Sequence, residues 1–362
     1  MTNRERIVKT VLCRETDRAP FFFYFGPWGE TVERWRTEGL GDNEEWHERF
    51  GMDAGIAHAY VHLGYWPYFE ERTVAEKQDT LIVSDKFGIV KEIRKNGSSV
   101  PKYLDYPVKD RNDWEKLKRE RLDPDDPARF PEDWDRIAEE LNGGDAAVQI
   151  GWYPYGLFGT LRDMMGAEAL LVNFIEEPEL IHEMMDWLTD FWLKLYAKIC
   201  EKVKVDIIHM WEDMSGKTGP LVSPAMVREF MAPNYRKIKA FADTHGIPCF
   251  SLDTDGDCSL LVPVFVECGI NLLFPFEVAA GSDVNEFRRQ YPNLGIMGGI
   301  DKTAVADGRD AILRELGRVG GMFGKLGYIP ALDHLIHPEI SWGDFCFFMD
   351  GLKKTVGLDS RG

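Results

Sequence analysis

The sequence predicts an α/β fold whose parallel sheet can close into a barrel, and two observations carry that expectation. Five short apolar runs, Asp206–Asp213, Cys249–Asp257, Asn271–Glu277, Leu294–Asp301 and Gly327–His334, each end in carboxylates or histidine. Helical stretches separate them, and strands alternating with helices build βα units around a parallel sheet. In a closed barrel the C-terminal strand ends converge on one face, where barrel enzymes keep their chemistry. Glu212, Asp253, Asp255, Glu277, Asp301, Asp333 and His334 are thereby aimed at one mouth. So many carboxylates in one cavity need a cation, a shared proton or a basic ligand to coexist.

Each element follows from local pattern. Asn3 to Leu12 reads as an amphipathic helix, and Ala19 to Gly26 as a buried strand broken at Gly26-Pro27-Trp28-Gly29. Thr31–Thr37 and Asn43–Phe50 read as helices. Thr80 to Arg94 alternates about a central turn and predicts a β-hairpin. Pro101 to Pro131 is charged and proline-studded, a surface excursion. Ala147 to Gly151 is a strand, and a helix starts at Gly156. Glu177–Lys202 keeps apolar residues at helical period. Ser223 with Pro224 behind it is an N-cap and first helical residue. Further strands end at 253, 276, 299 and 332, with helices near 258–268, 283–290, 303–321 and 341–354.

Composition excludes several classes. With 362 residues, 44% hydrophobic and 12% aromatic, the chain can bury a sizeable core. A formal net charge of −18 argues against nucleic acid and anionic membrane as partners. No secretory h-region and no bilayer-length apolar run is visible, and the six cysteines form no C-x-x-C, so a cytoplasmic chain with reduced thiols is expected.

Asp253-Thr-Asp255-Gly-Asp257 is the sharpest local motif. Residues i and i+2 of a strand share a face, so Asp253 and Asp255 can act as paired ligands while Asp257 caps the next helix. A calcium loop is excluded, because the twelfth-position glutamate is absent and the run leaves a strand. His334 ends the last strand, and only one of Asp333 and His334 need face the mouth. His245 and Cys249 lie at the opposite strand end and read as structural. Glu212 and Glu277 stand in aromatic company, either as acid/base or metal groups or as carboxylates satisfied by backbone. The aromatic loops Phe25–Trp28 and Trp152–Phe158 either line an apolar pocket or are core.

Arg18-Ala-Pro-Phe21, the Glu277 strand, Gly298-Gly-Ile-Asp301-Lys302 and Tyr328 to His334 together resemble the uroporphyrinogen decarboxylase superfamily, over nearly the whole chain and in motif order. That resemblance implies a (β/α)8 TIM barrel with an N-terminal helical extension, to which the 80–94 pattern adds a β-hairpin excursion. It implies one domain over 1–362, with the extension and first strand in 1–50 and the excursion in 78–135. The superfamily holds true decarboxylases and zinc-bearing, cobalamin-dependent methyltransferases. The decarboxylases' Arg-rich loop after the first strand is replaced here by Phe25-Gly-Pro-Trp-Gly, and their F-S-D aspartate has no counterpart near Asp53–Tyr60. A cavity rich in acid also repels a polycarboxylate.

The methyltransferase zinc motif H-x-C-G aligns with Asp253-Thr-Asp255-Gly256, and the later ligand cysteine falls at or beside His334. The resemblance therefore implies a methyltransferase or demethylase; the replacement of both thiolates by oxygen and nitrogen ligands, together with the aromatic loops, suits a small methoxylated aromatic substrate. Zinc or another divalent metal would sit on Asp253, Asp255 and His334. No D-x-H-x-x-G motif is present, so the corrinoid (cobalamin) is expected on a separate corrinoid protein. Glu212, Glu277 and His334 are the expected catalytic residues, and Trp28, Trp152, Tyr153, Trp211, Phe276 and Asp301 the expected substrate contacts. A homodimer is a further expectation. Two alternatives stand beside this reading: a decarboxylase of a small acid or tetrapyrrole-related compound, and a non-catalytic tetrapyrrole or corrinoid binder.

Overall fold

The computed structural model describes residues 1–96 and 101–358. Its strands are β1 (Ile56–His58), β2 (Arg72–Glu76), β3 (Thr80–Ser84), β4 (Val90–Arg94), β5 (Lys102–Asp105), β6 (Ala147–Ile150), β7 (Ile207–Trp211), β8 (Ser215–Gly216), β9 (Gly219–Pro220), β10 (Cys249–Asp253), β11 (Leu272–Phe274), β12 (Gly295–Met297) and β13 (Tyr328–Ile329). Seven of them form one curled parallel sheet in the order β1-β6-β7-β10-β11-β12-β13, with helices around it, a TIM-barrel-like arrangement. β2 to β5 form a separate antiparallel sheet, and β8 and β9 a small hairpin.

The eighth barrel position differs from the expected strand. The segment Phe21 to Gly26 bridges the two sheet edges. Asp53 N donates to Phe21 O at 2.8 Å on one side, and Ile336 N donates to Gly26 O at 3.1 Å on the other. It forms no ladder: on the Ile336 side the pairing is an isolated parallel bridge at Pro27, completed by Trp28 N donating to Ile336 O at 3.1 Å, and on the other side the Phe21 N–H goes to the Asp53 carboxylate at 2.9 Å.

Strand alternation sorts side chains between two layers. Ile207 packs inward with Ala147, Cys249, Leu272, Met297 and Ile329, and the N-terminal helix Asn3–Val11 closes that end with Ile7 and Val11. Ile208 and Met210 face outward into the helical layer, with Leu188, Trp192 and Leu195 of the long helix Pro178–Cys200. His209 and Trp211 thus share Ile207's inward face, nearer the C-terminal strand ends.

The expected hairpin is β3 and β4. Its turn is held by Asp85, which accepts from the N–H groups of Phe87 and Ile89. It widens to four strands because β2 and β5 pair on either side, and both are solvent-exposed throughout, without a buried face to pattern them. The expected helix Asn43–Phe50 shortens to Trp46–Arg49, and 303–321 divides into Lys302–Ala306 and Arg309–Val319, separated by Gly308 at φ +90°. Ser223 caps as expected, accepting from Met226 N at 3.2 Å. A wide π-helical turn at Val227–Met231 follows, where Pro233 cannot donate to the preceding turn. No helix among the described residues is long and apolar enough to cross a membrane.

Candidate functional site

The loops after β6, β7, β10 and β13 meet the bridging segment around a cavity of about 310 Å³. Tyr24, Phe25, Tyr153 and Trp211 supply aromatic walls, Asp213, Asp253, Asp255 and His334 a polar rim, and His209 and Leu335 complete it. Of the residues expected from the sequence, the structure brings Tyr153, Trp211, Asp253, Asp255 and His334 together here.

Asp253 ends β10 at 3% exposure, and its Oδ1 has no hydrogen-bond partner among the described residues. Burial, then the charges of Asp255, Asp213 and Glu277, push its carboxyl far above the usual range. His334 stacks on Phe25, centroids 4.8 Å apart, and its Nε2 lies 3.3 Å from Asp255 Oδ1. Burial opposes protonation of this imidazole, but the Asp255 hydrogen bond and charge outweigh it and raise its pKa. Glu277 stands just behind. Its Oε2 accepts from Gly256 N at 3.0 Å and its Oε1 lies 3.4 Å from Lys302 Nζ, so it fixes the turn after Asp255. Lys302 also pairs with the fully buried Asp333, which turns away from the cavity as His334 turns in.

Asp213, His209, Tyr24 and Leu335 were not foreseen. Asp213 sits at φ +41°, and Arg162 Nη2 holds its Oδ2 at 2.5 Å while stacking over Trp211. His209 was legible from alternation alone, since it lies two residues before Trp211 on one strand face.

Five expected site residues lie elsewhere. Glu212, next to Trp211, takes the opposite strand face and is fully buried against the N-terminus of the helix Leu157–Met165. It accepts from the N–H groups of Leu157, Phe158 and Gly159 and from Tyr235 Oη at 2.7 Å. A Cβ at Gly156 would lie 1.9 Å from Trp211 O, so glycine is needed for that helix to approach. Phe276, at φ +60°, packs on Phe287 in the core. Asp301 caps a helix, accepting from Thr303 N and Oγ1. Trp28 packs edge-on to His337, and Trp152 to Tyr60, both outside the cavity lining.

Asp253, Asp255 and His334 form a donor set of two carboxylates and one imidazole, and the partnerless buried Oδ1 suits a divalent cation. They are not assembled as ligands: among the described residues no three acid, histidine or cysteine groups stand in metal-holding geometry, and His334 instead bonds Asp255.

The family model for uroporphyrinogen decarboxylase (URO-D) matches residues 75–355. The chain belongs to the URO-D family. Among solved structures, a methyltransferase from Methanosarcina mazei superposes on this URO-D family chain with a TM-score of 0.60 at 14% identity, covering 98% of this chain and 99% of that one. At that identity the likeness is one of fold. No curated protein matches the sequence.

Proposed function

We propose that this URO-D family chain is a methyltransferase or demethylase acting on a small methoxylated aromatic substrate, with a divalent cation, zinc first, and a corrinoid carried by a separate protein. The observation that carries the reading is the meeting of Asp253, Asp255 and His334 with the aromatic walls of one small cavity. The M. mazei methyltransferase on the same fold supports it. Tyr24, Phe25, Tyr153 and Trp211 would hold the ring and exclude water. Asp253, Asp255 and His334 would hold the cation once His334 turns from its bond to Asp255, and the cation would supply Lewis acidity toward the methyl-bearing oxygen. Glu277 would keep the Asp255 turn in place through the Gly256 N–H.

The experiment is elemental analysis after dialysis against a mild chelator, alongside anaerobic methyl transfer from a methoxylated aromatic to cob(I)alamin. Wild type is expected to retain about one divalent ion per chain. Asp255→Ala is expected to lose most of it, with an unchanged circular-dichroism spectrum. A metal-free wild type, or an equally loaded variant, defeats the metal assignment.

That result would favour a second reading, a carboxy-lyase. Its supporting observation is Asp253 itself: burial and the charges of Asp255, Asp213 and Glu277 favour the protonated form of its carboxyl, which could serve as a general acid.

A further inference from the structure

The deepest polar layer of the cavity is not explained by the cation-binding rim. His209 Nδ1 lies 2.9 Å from Ser251 Oγ, and Ser251 Oγ donates to Ile208 O at 3.3 Å. We assign the serine hydrogen to Ile208 O, and the serine oxygen then accepts from Nδ1–H. In that tautomer the proton sits on Nδ1 and Nε2 carries a bare lone pair. Nε2 has no hydrogen-bond partner among the described residues, on a ring that lines the cavity.

Tyr24 is the complement. Its Oη accepts from Gln149 Nε2 at 3.0 Å, and that nitrogen also donates to Gly151 O at 2.9 Å, which settles the orientation of the amide. The phenolic hydrogen is left to give. The rings of Tyr24 and His209 lie 5.9 Å apart on one cavity wall, so they address the same end of a bound molecule. One group accepts and the other donates, which is what a hydroxyl needs from its surroundings. Burial keeps His209 and neighbouring His58 uncharged, so no cation waits there for an anionic group.

We infer that His209 and Tyr24 form a subsite for a neutral hydroxyl group, so that the molecule held in the cavity is a phenol or alcohol bound by that end. This deepens the reading above and rests on it for the identity of the reaction, while the binding claim stands on the floor geometry.

The test is calorimetric titration of the protein as isolated with phenol, toluene and benzoate, which needs no turnover. A site built around a hydroxyl rejects the analogue that lacks it, so wild type is expected to bind phenol at least about tenfold more tightly than toluene, and more tightly than benzoate. His209→Phe keeps the stacking on Phe274 (centroids 5.2 Å apart) and should erase the preference for phenol over toluene. Ser251→Ala releases the tautomer and should weaken phenol severalfold without changing toluene. Equal affinity for phenol and toluene, tighter benzoate, no phenol binding to folded protein, or a preference that survives both substitutions would each overturn the inference. Loss of methyl transfer with phenol selectivity intact would remove the reaction assignment alone.

Discussion

His209 is 1% exposed, held between Ser251, Tyr24 and Phe274. Burial, with a smaller contribution from His58, pushes its imidazole from 6.5 down to about 3. The unfolded chain takes up this proton below about pH 6.5, and the folded protein only near pH 3. The residue therefore leaves stability untouched above pH 6.5 and subtracts from it as pH falls further. At 1.36 kcal/mol per pH unit, its share of the loss between pH 7 and pH 5 is about 2 kcal/mol. Glu212 and Asp253, with raised carboxyls, run the opposite way, so the measurement has to be a difference. In urea unfolding, the loss from pH 7 to pH 5 is expected to be about 2 kcal/mol smaller in His209→Phe than in wild type. Equal losses would mean that His209 is charged in the folded protein.

At the scale of elements, the contact between β7 and the helix Leu157–Met165 shows what the sequence disclosed and what it hid. The strands announced themselves, because an apolar run ending in acid is legible one residue at a time. Ala19 to Gly26 is as apolar without becoming a strand, since its pairing towards Ile336 is an isolated bridge at Pro27 and the Asp53 carboxylate takes the Phe21 N–H, neither of which composition reveals. Side-chain direction was the harder part. Asp253, Asp255 and His334 reached the cavity, whereas Glu212 is one residue out of phase with Trp211 and points into a helix N-terminus. Burial pushes its carboxyl up to about 7, against the Tyr235 hydroxyl and three N–H donors that favour the charged form. In Glu212→Gln the amide has one acceptor oxygen for those donors and turns its NH₂ towards a backbone N–H. A buried donor left unpaired costs about 2 kcal/mol, and that loss is expected in equilibrium unfolding with phenol affinity unchanged. A variant of wild-type stability that has lost methyl transfer would restore Glu212 to the chemistry.

At the scale of the molecule, family membership and family activity separate. The URO-D model spans residues 75–355, but a fold does not by itself carry a reaction, and four features of this chain oppose the decarboxylation for which the family is named. The cavity of about 310 Å³ lies at the small end of ligand sites. Its rim carries Asp213, Asp253 and Asp255, with Glu277 behind, on a chain of net charge −18. The nearby cations are already engaged, Arg162 with Asp213 and Lys302 with Asp333 and Glu277. Phe25 lines the cavity where the resemblance would put an Arg-rich loop, and Asp53 is tied to Arg18 at 2.5 Å. A polycarboxylate entering this mouth would meet like charge with no free guanidinium among the described lining residues to offset it. An anaerobic assay with uroporphyrinogen is therefore expected to yield no coproporphyrinogen above the uncatalysed background, with or without added zinc. Formation at an enzymatic rate would show that the rim carboxylates are protonated or displaced when substrate binds, and would return the acid-rich cavity to decarboxylation.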